Sequence, residues 1–268
     1  MTAEAAEQHF KNGLWVTELT YIGKLARFLA PNSQVEGYTK EDHVAFYNKE
    51  PAIILMNHNE PASWMPALTL MVRETIKRIK SGISEDYKLF IIFHPKLYSV
   101  PIFSRILKRC SVKVTRKEDI AEVIKNNRTT MFLTCPEGDN CFFDFDGPIA
   151  PFRQFGLIKM AMQLGVKMMV CTAYEETKQS VSVKVPLIGL IRKGSKALRI
   201  PLVLPTKLLI TYSHITPDIN PSEFNALDAN SQRVAVAAQA DIIRELMIEH
   251  YDYLEAVHAG DAEMPRWK

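Results

Sequence analysis

The chain has 268 residues, 47% hydrophobic and 24% charged, an ordinary globular composition long enough to bury a substantial core in one domain. A formal charge of +3, with Lys and Arg spread along the chain rather than gathered in one block, argues against nucleic acid as a partner. The four cysteines (Cys110, Cys135, Cys141, Cys171) form no C-x-x-C pair and sit in or beside apolar runs, so reduced cytosolic thiols are expected, with neither disulfides nor a zinc site.

The opening "MTAEAAEQHFKNG" is acidic and polar and lacks the apolar core of a secretory signal. In residues 9–30, Phe10, Leu14, Trp15, Leu19, Ile22, Leu25, Phe28 and Leu29 recur at helical spacing among Lys11, Lys24 and Arg27. This predicts an amphipathic helix that either packs on the domain's own core or lies on a bilayer surface, with Trp15 and Tyr21 as interfacial rings. Strands are predicted at 52–56, 87–93, 111–115, 129–134, 167–174 and 207–215, where short apolar runs rich in β-branched and aromatic residues occur. Helical patterns fall between them at 66–82, 99–110, 117–127 and 154–165, the last closed by Gly165 in a C-cap position. A final helix is predicted at 231–257.

Alternation of this kind implies an α/β class, a mixed, mostly parallel sheet flanked by helices. The expected organisation is an N-terminal amphipathic segment (1–35), an α/β domain (36–225) and a C-terminal helix packed on it (226–268). The most apolar stretch, "RIPLVLPTKLLITYSHI", is broken by two prolines and Lys207, so no membrane span is expected. Attachment to a membrane surface stays open.

Chemistry concentrates at predicted strand ends, where open α/β sheets hold ligands. In "ILMNHNEPASWM" (54–65) a strand runs into Asn57 and His58, with Ser63 five residues beyond the histidine. Arg116 ends the strand 111–115. Pro136, Glu137 and Gly138 follow the strand 129–134, and Gly138 suits either a turn with positive φ or a close approach of backbone N–H groups to an anion. A histidine, an arginine and a glutamate beside a glycine suit the transfer of an acyl or phosphoryl group.

The order and spacing of these residues resemble the glycerolipid acyltransferases typified by lysophosphatidic acid acyltransferase. Their Asn-His followed by four residues and Asp is similar to Asn57-His58 through Ser63. Their strand ending in Arg is similar to "SVKVTR" (111–116), and their Pro-Glu-Gly-Thr to Pro136-Glu137-Gly138-Asp139. Their Pro-Phe-Lys-x-Gly segment, with its helix and Gly-Val strand, is similar to "PFRQFGLIKMAMQLGVKMMV" (151–170). The resemblance spans most of residues 50–225. It implies an α/β domain that moves an acyl chain from acyl-CoA or acyl carrier protein to a hydroxyl of a lysophospholipid or related acceptor. His58 is the implied general base. Arg116 is the implied clamp for a phosphate, and Asn57, Glu137, Gly138 and Asp139 line the acceptor site. Neither metal nor dissociable cofactor is expected, and the implied setting is cytoplasmic at a membrane surface.

Two positions depart from that pattern. Ser63 stands where the family has an Asp that orients the imidazole and offsets its charge, and loss of a triad carboxylate costs about 10⁴ in rate. Glu60 and Asp139 are the nearest substitutes in the sequence. Asp139 also replaces a small hydroxyl, which favours a less anionic acceptor unless Arg116, Arg153 or Lys159 compensates. The alternative reading is a catalytically lapsed, lipid-binding or regulatory relative. A hydrolase using His58 is weaker, since no G-x-S-x-G elbow is present. Each residue also has a structural reading: His58 as a satisfied histidine, Arg116 as a surface partner of Glu118 or Asp119, Glu137 and Gly138 as a simple turn.

Overall fold

The structure, a computed structural model, describes residues 28, 30–45, 52–57, 88–91, 121, 130–138, 140, 143–178, 180–184, 195–201 and 204–266. In chain order these form β1 (Gln34–Gly37), α1 (Lys40–Ala45), β2 (Ala52–Met56), β3 (Lys88–Ile91), β4 (Thr130–Thr134), α2 (Gly156–Leu164), β5 (Met168–Glu175), β6 (Ser180–Val183), β7 (Leu198–Pro201), β8 (Leu208–Ile215), α3 (Pro221–Ala226) and α4 (Ala229–Ala259).

Six strands make one sheet in the order β1-β8-β5-β2-β4-β3, and β6 pairs with β7 in a second. Among the described strands of the large sheet only the β5–β8 pairing is antiparallel, so the predicted mixed, mostly parallel sheet is present. The central run "AIILM" of β2 is apolar at every position because both faces of an interior parallel strand are covered. Accordingly Ile53, Ile54, Leu55 and Met56 are all at most 2% exposed.

On one face, Ile53, Leu55, Phe132, Met168 and Val170 pack against Leu157, Ile158 and Met160 of α2 and Ala240, Ile243 and Met247 of α4. The buried positions of α4 (Val236, Gln239, Ala240, Ile243, Met247, His250, Leu254) recur every three or four residues and form a single stripe. Asp228 caps this helix, accepting from the N–H groups of Asn230 (2.8 Å) and Ser231 (3.2 Å). As predicted, Gly165 ends α2 in the left-handed region (φ 66°). A Cβ there would lie 2.6 Å from Cγ of Pro221, so only glycine allows α3 to approach this closely.

The first strand of the sheet among the described residues begins at Gln34. Of residues 9–30, only Phe28 and Ala30 are described. The predicted strand 111–115 and the helices 66–82 and 99–110 lie outside the described residues, as does all of 117–127 except Ala121. Among the described residues, neither Cys135 nor Cys171 is in a disulfide, and burial pushes the Cys171 thiol well above its usual range.

α4 also seats a buried histidine against the β5–β8 pair. Ser213 Oγ lies 2.9 Å from Nε2 of His250, Thr172 Oγ1 lies 3.4 Å from its Nδ1, and the Tyr38 ring packs on it tilted by 45°, 4.7 Å between ring centroids. Burial, partly opposed by the charge of Asp42, lowers the His250 imidazole from 6.5 to about 4. Because the unfolded chain binds this proton first, stability falls as the pH drops from about 6.5 towards about 4. The total loss is about 3 kcal/mol. Asp42 contributes in a lower window. Burial opposes its charge, but hydrogen bonds from His214 and Thr39 outweigh burial and hold the carboxyl at about 2. Urea unfolding at pH 7 and pH 4.5 should show the His250 loss, and His250→Asn should flatten that difference; an equally steep difference in the variant would assign it elsewhere.

Candidate functional site

Among the described residues, Asn57 after β2 and Pro136, Glu137 and Gly138 after β4 lie at one edge of the sheet. β2 and β4 are parallel neighbours, with Leu55 opposite Thr134. Continued past the ladder, this register sets Asn57 level with Pro136, on strands about 5 Å apart. Two motifs nearly 80 residues apart in sequence thus leave the sheet side by side.

Asn57 is 3% exposed, and its side chain turns to β5. Nδ2 donates to the carbonyl of Ala173 (3.0 Å), and Oδ1 accepts from the N–H of Ala173 (2.7 Å). Its own N–H donates to the carbonyl of Cys171 (3.2 Å). The amide therefore imitates a backbone unit and extends the β2–β5 ladder by one rung beyond Met56. This fixes the point from which the chain continues to His58. Both ends of the Asn57 amide are thus engaged with Ala173 of β5.

The Pro-Glu-Gly segment is a tight turn. Gly138 sits at φ 61°, and its N–H donates to the carbonyl of Cys135 (3.1 Å). That N–H serves the turn. Glu137 is 0% exposed, and a carboxylate so completely removed from water needs donors around it.

The turn is also tied to the later motif. The carbonyl of Pro136 accepts from the N–H groups of both Arg153 (2.8 Å) and Gln154 (2.9 Å). Asn140 Nδ2 donates to the carbonyl of Pro151 (2.7 Å). Thus the Pro-Phe-Arg segment is stitched to the Pro-Glu-Gly turn, and the amino end of α2 is held at this edge, where Phe155 provides no side-chain cap. The partial positive charge of a helix amino end therefore faces the turn. Sequence reasoning found both segments and missed Asn140 and Gln154, because nothing in their local pattern marks a bond to a carbonyl more than ten residues away.

A Cβ at Gly138 would lie 3.1 Å from Nε2 of Gln154. Gly138→Ala should cost about 1–2 kcal/mol, chiefly from the left-handed backbone. A denaturant midpoint shift checks this, and an unchanged midpoint would contradict the turn geometry.

His58, Ser63, Arg116 and Asp139 lie outside the described residues. Among the described residues, no cluster of three or more His, Cys, Asp or Glu has the arrangement of a metal site, and no helix is long and apolar enough to cross a membrane.

No protein-family model and no curated protein sequence matches the chain. Among solved structures, it is similar to the 1-acyl-sn-glycerophosphate (LPA) acyltransferase PlsC from Thermotoga maritima, at 16% identity and a TM-score of 0.45, over 87% of this chain and 79% of that one.

Proposed function

We propose that the protein is an acyltransferase, moving a fatty acyl group from acyl-CoA or acyl carrier protein to a hydroxyl of a lysophospholipid or related acceptor. The observation that carries this reading is the meeting of Asn57 and the Pro136-Glu137-Gly138 turn at the carboxyl ends of adjacent parallel strands, where α/β sheets hold substrates. A strand end pinned on its flank by Asn57 is a firm base for a catalytic side chain on the next residue.

In this reading His58 takes the proton of the acceptor hydroxyl as its oxygen adds to the thioester carbonyl. The C–O bond forms, the intermediate collapses with cleavage of the C–S bond, and the imidazolium returns the proton to the leaving thiolate. Ser63 accepts a hydrogen bond from the ring in place of the family's Asp. Arg116 pairs with the buried Glu137 and reaches the acceptor's polar group, assisted by the amino end of α2. Asp139 biases the site towards acceptors less anionic than a phosphomonoester. No metal or redox cofactor enters these steps.

The acceptor is a membrane lipid, so the protein works at the cytoplasmic face of a membrane, attached through residues 9–30. Phe28, from the predicted apolar stripe, is 71% exposed, which supports that attachment. The test is a labelled acyl thioester offered with a panel of lysolipids bearing phosphate, zwitterionic and uncharged head groups. Formation of a diacyl product is expected, fastest with a zwitterionic or uncharged acceptor. Absence of product and of released thiol across the panel would end the proposal, and strong selectivity for phosphomonoesters would end its acceptor assignment.

A further inference from the structure

The β6–β7 hairpin leaves three apolar side chains, Val181, Val183 and Ile200, open to solvent. Cross-strand partners share a face, and the register pairs Val181 with Ile200, Val183 with Leu198, and Ser182 with Arg199. One face is therefore Val181, Val183, Leu198 and Ile200, extended by Phe143, which bridges to Leu198. The other carries Ser182 and Arg199, both bonded to the Asp144 carboxylate. A two-sided sheet normally turns its apolar face to the core. Here both sides are partly covered: on the polar side the Arg199 and Asp144 side chains are 20% and 26% exposed while Ser182 is exposed, and on the apolar side Leu198 and Phe143 are half-buried. Val181, Ile200 and Val183 are 51%, 48% and 39% exposed.

Lysines flank this face, one of them already paired: Lys196 Nζ is bonded to the exposed Asp146 carboxylate. Lys178 and Lys184 are exposed at the two ends of β6, and Lys196 is exposed before β7. By sequence, residues 176–207 hold seven Lys or Arg and one acidic residue, so the rest of the chain is slightly acidic although the whole is +3.

The hairpin also projects from the edge that holds the candidate site. β5 runs parallel to β2 and continues four residues past the Met56–Cys171 pair before leading into β6. The chain enters β1 at the same edge, where Ser33 Oγ accepts from the N–H of Leu208, and Phe28 lies exposed five residues earlier. Exposed apolar side chains rimmed by lysines, on the side where a lipid would enter, match a bilayer surface bearing anionic head groups.

We infer that the outward face of the β6–β7 hairpin, Val181, Val183 and Ile200 with Lys178 and Lys184, docks on anionic membrane. The apolar side chains enter the head-group boundary, and the lysines contact lipid phosphates and carboxylates. This surface is distinct from the segment 9–30 and does not depend on the transfer reaction.

The test uses the full chain with vesicles of phosphatidylcholine alone or with added phosphatidylserine, in the absence of lysolipid and thioester, so that a failed transfer assay leaves it intact. Sedimentation should show binding to the anionic vesicles that weakens as salt rises. Val181→Ser with Ile200→Ser, and separately Lys178→Glu with Lys184→Glu, should each lower the partition coefficient by about tenfold or more. Both pairs are exposed, so thermal unfolding should be unaltered. A single Val181→Trp should give indole emission that shifts to the blue on anionic vesicles. Wild-type partitioning by both paired variants, or indole emission unmoved by vesicles, would overturn the inference, as would an absence of vesicle binding by the unaltered protein. Capture of an acidic protein by this face without vesicle binding would overturn it equally.

Discussion

Replacing His58 with Ala is expected to lower the rate of acyl transfer by about 10²–10⁴ while leaving the melting temperature close to that of the unaltered protein. The range is the ordinary contribution of a positioned general base. A thioester carbonyl is attacked slowly by a neutral hydroxyl, and the imidazole removes the proton as the C–O bond forms. The unaltered protein should also lose rate as pH falls below the usual imidazole range near 6.5, because the base must be neutral to act. Ser63 brings no negative charge to support the imidazolium, so Ser63→Asp should hold or raise the rate. Rapid-quench transfer measured across pH, with circular dichroism of each variant, separates lost chemistry from lost fold. A His58→Ala protein that keeps most of its rate would remove this residue from the mechanism.

Asn57→Ala should fail in a different manner, losing stability and rate together. The substitution leaves the N–H and carbonyl of Ala173, a residue 4% exposed, without the two bonds Asn57 gives them. Each buried orphan costs about 1–3 kcal/mol, so a loss of about 3 kcal/mol in urea unfolding is expected. Asn57→Asp keeps the acceptor and loses the donor to the Ala173 carbonyl, setting a carboxylate against a carbonyl; it should be no better. The strand end then shifts relative to β5, and a displacement of about 1 Å at a reacting group can cost 10² in rate. Unchanged stability in Asn57→Ala would show that the side chain does not hold β2 to β5 at this point.

Much of the architecture was legible because β2, β4, β5 and β8 are apolar runs and α2 and α4 carry apolar periodicity, with Gly165 marking the end of α2. β1 was not, since "QVEG" has one apolar side chain and owes its place to pairing with β8, more than 170 residues away. β6 and β7 escaped notice because "SVSV" and "LRIP" are four residues each and present their valines and isoleucine to solvent, against the usual sense of the pattern. α1 and α3 are single-turn or little longer elements whose six residues are too few to show a period. At the candidate site, residue types and their order were readable, and their tasks less so. The bonds of Asn57 to Ala173 could not be read locally, because that partner is 116 residues away. The link from Pro136 to Arg153 and Gln154 was hidden for the same reason, since backbone acceptors carry no sequence signature.

The most direct measurement is single-turnover transfer from a labelled acyl thioester to the lysolipid panel by the unaltered protein, His58→Ala and Ser63→Asp side by side. Diacyl product from the unaltered protein, abolished by His58→Ala and held or raised by Ser63→Asp, is the expected result. Product from Ser63→Asp alone would contradict it, and would mark the chain as a lapsed catalyst that retains its lipid-binding groove.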